Sequence, residues 1–228
     1  MSLATPVYRF DEEAKANVYE PAEDTFLLLD ALEQEQWYIE QIGPTVCLEI
    51  GCGSGVVSCF LAKMLTGSAV YLCTDINPHA TKCTRTTGTL NLISRIEPVL
   101  TDLALCFQPK LEAKVDVLLF NPPYVPTNKE EMQGSHLSRS WAGGKEGRQV
   151  LDRLLPCVPD LLSARGVFYL VALPQNNIPE LLNHWDGVLN GEVVAKRRCG
   201  QEFLHVLKFT RNIYPAWTNG NFVQTVSS

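Results

Sequence analysis

The sequence predicts an α/β domain built on a doubly wound, largely parallel sheet, and three observations carry that prediction. Short apolar runs alternate along the chain with segments of helical periodicity, the order that builds strand-helix-strand units. Runs such as "VDVLLF" (115–120) are apolar at nearly every position, which suits strands buried on both faces. A chain of 228 residues with 46% hydrophobic content can bury a sizeable core within one domain and requires no second.

The elements follow in chain order. Residues 1–18 are mixed and polar and are expected to form a loosely ordered tail. "YEPAEDTFLLLDALEQE" reads as a helix after Pro21, capped by Asp24 or Thr25, with Phe26, Leu29 and Leu32 at three-residue spacing. "TVCLEI" (45–50) is a strand, and "SGVVSCFLAKML" (54–65) a helix with Val57, Phe60, Leu61, Met64 and Leu65 on one face. "AVYLCTD" (69–75) is a strand, "NPHATKCTRTTGTLNL" (77–92) a helix, and "IEPVLTD" (96–102) a weaker strand that precedes 115–120. After a long loop, "GRQVLDRLLPCVPDLLS" is a helix interrupted by Pro156 and Pro159. Strand "GVFYLVAL" (166–173) and a helix near 177–186 follow, and "EVVAKRR" and "EFLHVLKFT" pair as the last strands. The expected division is one domain over 19–210 and a flexible extension over 211–228, whose "NIYPAWTNGNFVQTVSS" has no periodicity.

Composition narrows the function. The net charge of -6 and pI of about 5.3 give no overall footprint for a polyanion, although Lys196, Arg197, Arg198, Lys208 and Arg211 cluster late in the chain. Nucleic acid is therefore not an expected partner. The eight cysteines are spread through apolar runs with no C-x-x-C pair, so reduced, mostly buried thiols and no metal site are expected. "MSLATPVYRFDEEAK" lacks the apolar stretch of a signal peptide, and no run approaches the roughly 20 apolar residues of a membrane span. An intracellular, soluble chain of the cytoplasm or nucleus is the expectation.

Doubly wound sheets bind ligands beyond the carboxyl ends of their strands, near the point where strand order reverses, so the strand ends are where chemistry is sought. The first ends in "LEIGCGSGVVS", with Glu49, Gly51, Gly53 and Gly55. Such a turn either brings backbone and helix amides close to a ligand or is only a tight turn. Its G-x-G-x-G spacing departs from the G-x-G-x-x-G of dinucleotide sites. The second strand ends at Asp75, where a carboxylate either accepts both hydroxyls of an adenosyl ribose or caps the next helix. Asp102, after the third, either faces the exocyclic amine of an adenine or caps "LALCF". The fourth ends in Asn121-Pro122-Pro123-Tyr124. Two residues without an N–H stop the ladder and leave nearby carbonyls free to accept something else. Alone, the tetrapeptide is also a proline turn with a packed tyrosine.

In that order, "EIGCGSG", "TDIN" and "NPPY" resemble class I methyltransferases that use S-adenosyl-L-methionine, and NPPY resembles those that methylate planar NH2 nitrogens. With "VYEPAEDTFLLLDAL" and "WAGGKEGRQVLDRLLPCVPDLLSARG", the chain is similar, over about residues 18–210, to the eukaryotic and archaeal HemK-like protein glutamine methyltransferases. The resemblance implies a Rossmann-like, mostly parallel seven-stranded sheet with one antiparallel strand. It implies as substrate the glutamine amide in the Gly-Gly-Gln motif of the class 1 peptide release factor. Thr25, Glu49, Gly51, Cys52, Gly53, Asp75, Ile76, Asp102, Leu103 and Asn121 would line the cofactor. Asn121 and the Pro122 carbonyl would bind the substrate amide, with Pro123 and Tyr124 completing the catalytic turn. The resemblance further implies a heterodimer in which a small zinc-ribbon activator protein pairs with the edge strand "IEPVL". The helical substrate-docking domain of bacterial members is not expected in the short stretch before the first strand.

Two rivals stand beside this reading. The same NPPY geometry would bind the exocyclic amine of a flipped adenine, which the acidic composition disfavours. A cofactor-binding scaffold without activity is disfavoured by an intact NPPY. The loop over 125–147, with His136, Trp141 and the glycines of "WAGGKEG", is expected to shape and cover the substrate slot, and His184 and His205 to be surface or partly buried residues without metal.

Overall fold

Seven strands form one sheet in the order β3-β2-β1-β4-β5-β7-β6 in the computed structural model, which describes residues 3–128, 137, 140–200 and 202–211. They are β1 Val46–Ile50, β2 Val70–Asp75, β3 Ile96–Leu100, β4 Val115–Phe120, β5 Leu162–Ala172, β6 Leu189–Cys199 and β7 Glu202–Arg211. Strands β1 to β5 pair in parallel, and β7 runs antiparallel to both of its neighbours. The expected sheet with one antiparallel strand is therefore present. Strand order reverses at β1 and β4, so the crevice expected of a doubly wound sheet opens there.

Alternation on each strand divides the core into two layers. Cys47, Val117, Leu119, Val167 and Tyr169 face a cluster with α2 (Glu23–Gln34) and α4 (Val56–Met64). Leu48, Leu118, Phe120, Phe168 and Leu170 face α6 (Leu151–Leu154), α7 (Val158–Leu161) and α8 (Ile178–Leu182). All six residues of β4 are buried, the outcome of an apolar run covered on both faces.

Several expectations need correction. The start of the chain is not loose from residue 3 onward: Asp11 caps α1 (Glu12–Asn17), accepting from the Ala14 amide at 2.8 Å. Ala14 and Val18 then bury against Ala80 and Cys83 of α5 (Pro78–Leu90). Neither Asp24 nor Thr25 caps α2, whose N-cap is Ala22; both are buried within the first turn. The buried stripe includes Leu27, Leu28, Ala31 and Leu32, while Phe26 is only half-buried, because a period of 3.6 rather than 3 sets the face. A further helix, α3 (Gln36–Ile42), follows. The helix predicted across Pro156 and Pro159 is α6, a 3-10 turn and α7 in succession, with each proline in the first turn of its own segment, where its missing N–H costs nothing. Arg211, placed in the final extension, closes β7 instead, and residues 212–228 and His136 lie outside the described residues. All eight cysteines are free thiols, five of them buried. Among the described residues no helix is long and apolar enough to cross a membrane.

Candidate active site

A cavity of about 320 Å³ opens at the carboxyl ends of β1, β2 and β4, within the roughly 300–1,000 Å³ typical of ligand sites. Its wall includes Thr25, Glu49, Gly51, Cys52, Gly53, Asp75 and Ile76, and also Asp102, Leu103, Asn121, Pro122, Pro123 and Tyr124. The structure thus brings together every residue expected to line the cofactor or bind the substrate amide. Strand-end position is the reason: each residue except Thr25 follows or ends a strand pointing the same way.

The β1 turn is built for close approach. Gly55, at φ +77°, opens α4, and a Cβ there would lie 2.6 Å from the Thr84 Cα of α5; only glycine lets the two helices meet. The Gly53 amide donates to one Asp75 oxygen at 3.0 Å and the Asn77 amide to the other at 2.8 Å. Asp75 is not the cap of α5. Asn77 is, accepting from the His79 amide at 3.0 Å with Pro78 next. Asp75 is thereby pinned at the cavity wall. Ile76 is 61% exposed beside it, an apolar surface that a flat ring would cover.

Glu49 is deeper and differently set. One oxygen accepts from the Ser58 amide at 3.0 Å and from the Ser58 hydroxyl. Burial pushes its carboxyl up from its ordinary 4.5 to about 8, against the two Ser58 hydrogen bonds and with the Asp75 charge adding to the rise. A raised folded value means that the native state holds a proton that the unfolded chain releases between about pH 4.5 and about pH 8, so stability falls as pH rises through that window. Glu49→Gln should flatten this dependence; thermal melts of both proteins from about pH 5 to about pH 8.5 check it.

Asp102 does not cap the 3-10 turn Leu105–Phe107, which has no side-chain cap. Its carboxylate pairs instead with Arg153, another residue of the cavity wall. Leu103 holds a left-handed φ of +49°, a conformation that costs about 1 kcal/mol for a residue with a Cβ.

Strand β4 delivers the fourth element, and the fate of its carbonyls can be followed one by one. The Tyr124 carbonyl accepts from Asn176 Nδ2 at 2.9 Å. That of Val125 accepts from the Gly143 amide at 2.8 Å, while the Val125 amide donates to the Trp141 carbonyl at 3.1 Å. Asn176 and "WAGGKEG" therefore take the Tyr124 and Val125 carbonyls beyond the prolines, and Arg148, ion-paired with Asp152 and Glu180, holds the segment to α8. Among the described residues none donates to the Pro122 carbonyl. The Asn121 Oδ1 atom is buried and has no hydrogen-bond partner. Both residues line the cavity, and neither acceptor has a donor among the described residues.

The partner of Asn121 escaped the sequence reading. Asp24 Oδ2 accepts from Asn121 Nδ2 at 3.0 Å and from the Tyr124 hydroxyl at 2.9 Å. Its Oδ1 accepts from the Thr25 amide at 2.8 Å and the Tyr19 hydroxyl at 3.2 Å. Burial, then the Asp24 charge and hydrogen bond, push the Tyr124 phenol far above its usual range, so it is a neutral donor. A signal was present: Asp24 lies three and four residues before Leu27 and Leu28, on the buried stripe of α2, where a carboxylate needs partners.

Comparison with known proteins agrees with this geometry. The family described as "Methyltransferase small domain" matches residues 22–137. Methyltransferase HEMK2 of Homo sapiens is 50% identical over 213 residues, covering 92% of this chain and 98% of its own. The eRF1 methyltransferase catalytic subunit mtq2 of Schizosaccharomyces pombe is 38% identical, covering 86% and 90%. Among solved structures, that of the E. cuniculi Mtq2-Trm112 complex, responsible for methylation of the eRF1 translation termination factor, superposes with a TM-score of 0.63 at 26% identity, over 86% of this chain and 99% of that one.

Proposed function

The chain belongs to the methyltransferase family of HEMK2 and Mtq2, and from that premise we propose that it methylates the side-chain amide nitrogen of the glutamine in the Gly-Gly-Gln motif of a class 1 peptide release factor. It is an S-adenosyl-L-methionine-dependent methyltransferase. The observation that carries the substrate reading is the pair of acceptors without donors, the buried Asn121 Oδ1 and the Pro122 carbonyl, at the end of β4. A primary amide presents two N–H groups in one plane, and two acceptors side by side match them.

The residues present fit the cofactor. The turn over Gly51–Gly53 would lie against it, Asp75 would hold the ribose hydroxyls, Asp102 and Leu103 would border the adenine, and Glu49 and Thr25 would lie toward the amino-acid end. When bound, S-adenosyl-L-methionine supplies a methyl group on a positively charged sulfur. An amide nitrogen is a poor nucleophile because its lone pair is delocalised into the carbonyl. Asn121 and Pro122 bind both hydrogens and turn the lone pair toward the methyl. Alignment at about 3 to 3.5 Å and electrostatic support of the charge developing on nitrogen are what the protein contributes. With the amide held by Asn121 and Pro122, the nitrogen would take the methyl as its bond to sulfur is given up, and one N–H proton would leave to water.

The rival reading, adenine in a duplex, needs a basic face. The late basic residues are largely engaged. Arg197 pairs with Asp30 and Glu23, Lys208 with Glu35 and Glu192, and Arg211 donates to the carbonyls of Pro159, Leu162 and Ser163. This favours protein over nucleic acid.

A partner is part of the proposal. The E. cuniculi relative is a complex with Trm112, and we infer that this chain too is the catalytic subunit of a heterodimer with a small zinc-ribbon activator on the β3 edge. Among the described residues that edge pairs only with β2. Leu100 on it is 57% exposed and Leu92, just past α5, is 94% exposed, surface that water disfavours. Expressed alone, the chain should be poorly soluble, and co-expression with the activator should restore it. A stable monomer with full activity in size-exclusion and turnover measurements would contradict this. The substrate reading is tested by label transfer from S-adenosyl-L-methionine to a release factor, to its Gln→Ala form and to DNA. Label on the first alone supports it, and label on DNA alone supports the rival.

A further inference from the structure

Asp24 is only 4% exposed, and among the described residues no cation pairs with it. Five neutral donors hold it instead: the Thr25 amide and hydroxyl, Tyr19, Tyr124 and Asn121. A buried charge answered only by neutral groups is an expensive arrangement, and Asp24 is itself part of the cavity wall. What it requires is a particular orientation of Asn121. A carboxylate only accepts, so the Asn121 amide can face it only with Nδ2. The flipped amide would set oxygen against oxygen. The Oδ1 atom is therefore forced to the other side, where it is buried without a donor.

We propose that Asp24 is a positioning residue for the methyl transfer, locking Asn121 with its oxygen toward the substrate NH2 and Tyr124 with its ring beside it. The role rests on the reading of NPPY as an amide site. A hydrogen bond from Nδ2 to an anion also shifts electron density within the Asn121 amide toward Oδ1, which makes that oxygen a stronger acceptor. As the substrate nitrogen becomes positive, a carboxylate one residue behind it lowers the energy of that charge without touching substrate.

The test is Asp24→Asn in the heterodimer, since the side chain keeps its size while losing its charge and its acceptor-only character. The expected result is a fall in kcat of about 50-fold, with Kd for S-adenosyl-L-methionine within about threefold of wild type and Tm preserved. In protein labelled with ¹⁵N at asparagine, the Asn121 side-chain resonances, assigned by their absence in Asn121→Ala, should shift in Asp24→Asn more than those of other asparagines. A kcat within about threefold of wild type, or a parallel fall of kcat, cofactor affinity and Tm, would overturn the proposal. Asn121→Ala measured alongside separates the two levels. If it transfers methyl at the wild-type rate, the amide-site reading fails and the role of Asp24 with it. If it is impaired while Asp24→Asn is not, only the role of Asp24 is lost.

Discussion

Asn121→Ala should lower kcat for methyl transfer roughly 100- to 1,000-fold while weakening cofactor binding by less than about tenfold. The asymmetry follows from what each atom does. Oδ1 is the buried acceptor without a partner, and its use begins only when an amide N–H arrives, so its loss is felt in the reacting complex. Nδ2 serves Asp24, which keeps four other donors after the substitution, so the fold should survive. Single-turnover rates with saturating release factor, beside calorimetric cofactor titration, measure the two quantities separately. Equal loss in both would mean that Asn121 is part of the cofactor wall and nothing more.

Gly147→Ala should destabilise the protein by at least about 3 kcal/mol and abolish activity. Gly147 has φ +68°, and an added Cβ would collide with the Tyr124 carbonyl and lie 2.5 Å from Asn176 Nδ2. Backbone cannot yield there without pulling Tyr124 away from Asn176, and the NPPY turn would move with it. Gly187 provides the control: its φ is +78°, but nothing lies within 4 Å of an added Cβ, so Gly187→Ala should cost only about 1 kcal/mol. Urea unfolding of both variants isolates the close approach from the backbone conformation. Equal costs would contradict the packing argument.

The parts of this molecule that could be read in advance are those that rest on local pattern. "VDVLLF" is a buried strand because every one of its residues is covered, and Asp75 and Asp102 reach the cavity because they sit at or just beyond the ends of parallel strands. What stayed hidden depends on partners far along the chain. Asp24 looked like a helix cap, yet its role is set by residues 97 and 100 positions away. Nothing local to "WAGGKEGR" says that Arg148 ties the segment to Glu180 or that Asn176 would take the Tyr124 carbonyl. Asp75 and Asn77 show the limit at short range: either can cap a helix, and Pro78 decided between them by fixing the first helical position one residue after Asn77.

The most direct measurement identifies the methylated atom. The release factor would be treated with the heterodimer and labelled S-adenosyl-L-methionine, digested, and the labelled peptide sequenced by mass spectrometry and then hydrolysed in acid. Amide methylation yields a peptide carrying one methyl on the glutamine of Gly-Gly-Gln, and hydrolysis releases the label as methylamine. Label that remains on the amino acid after hydrolysis, or that lies on any other residue, would mean that the two acceptors at the end of β4 receive something other than a glutamine amide.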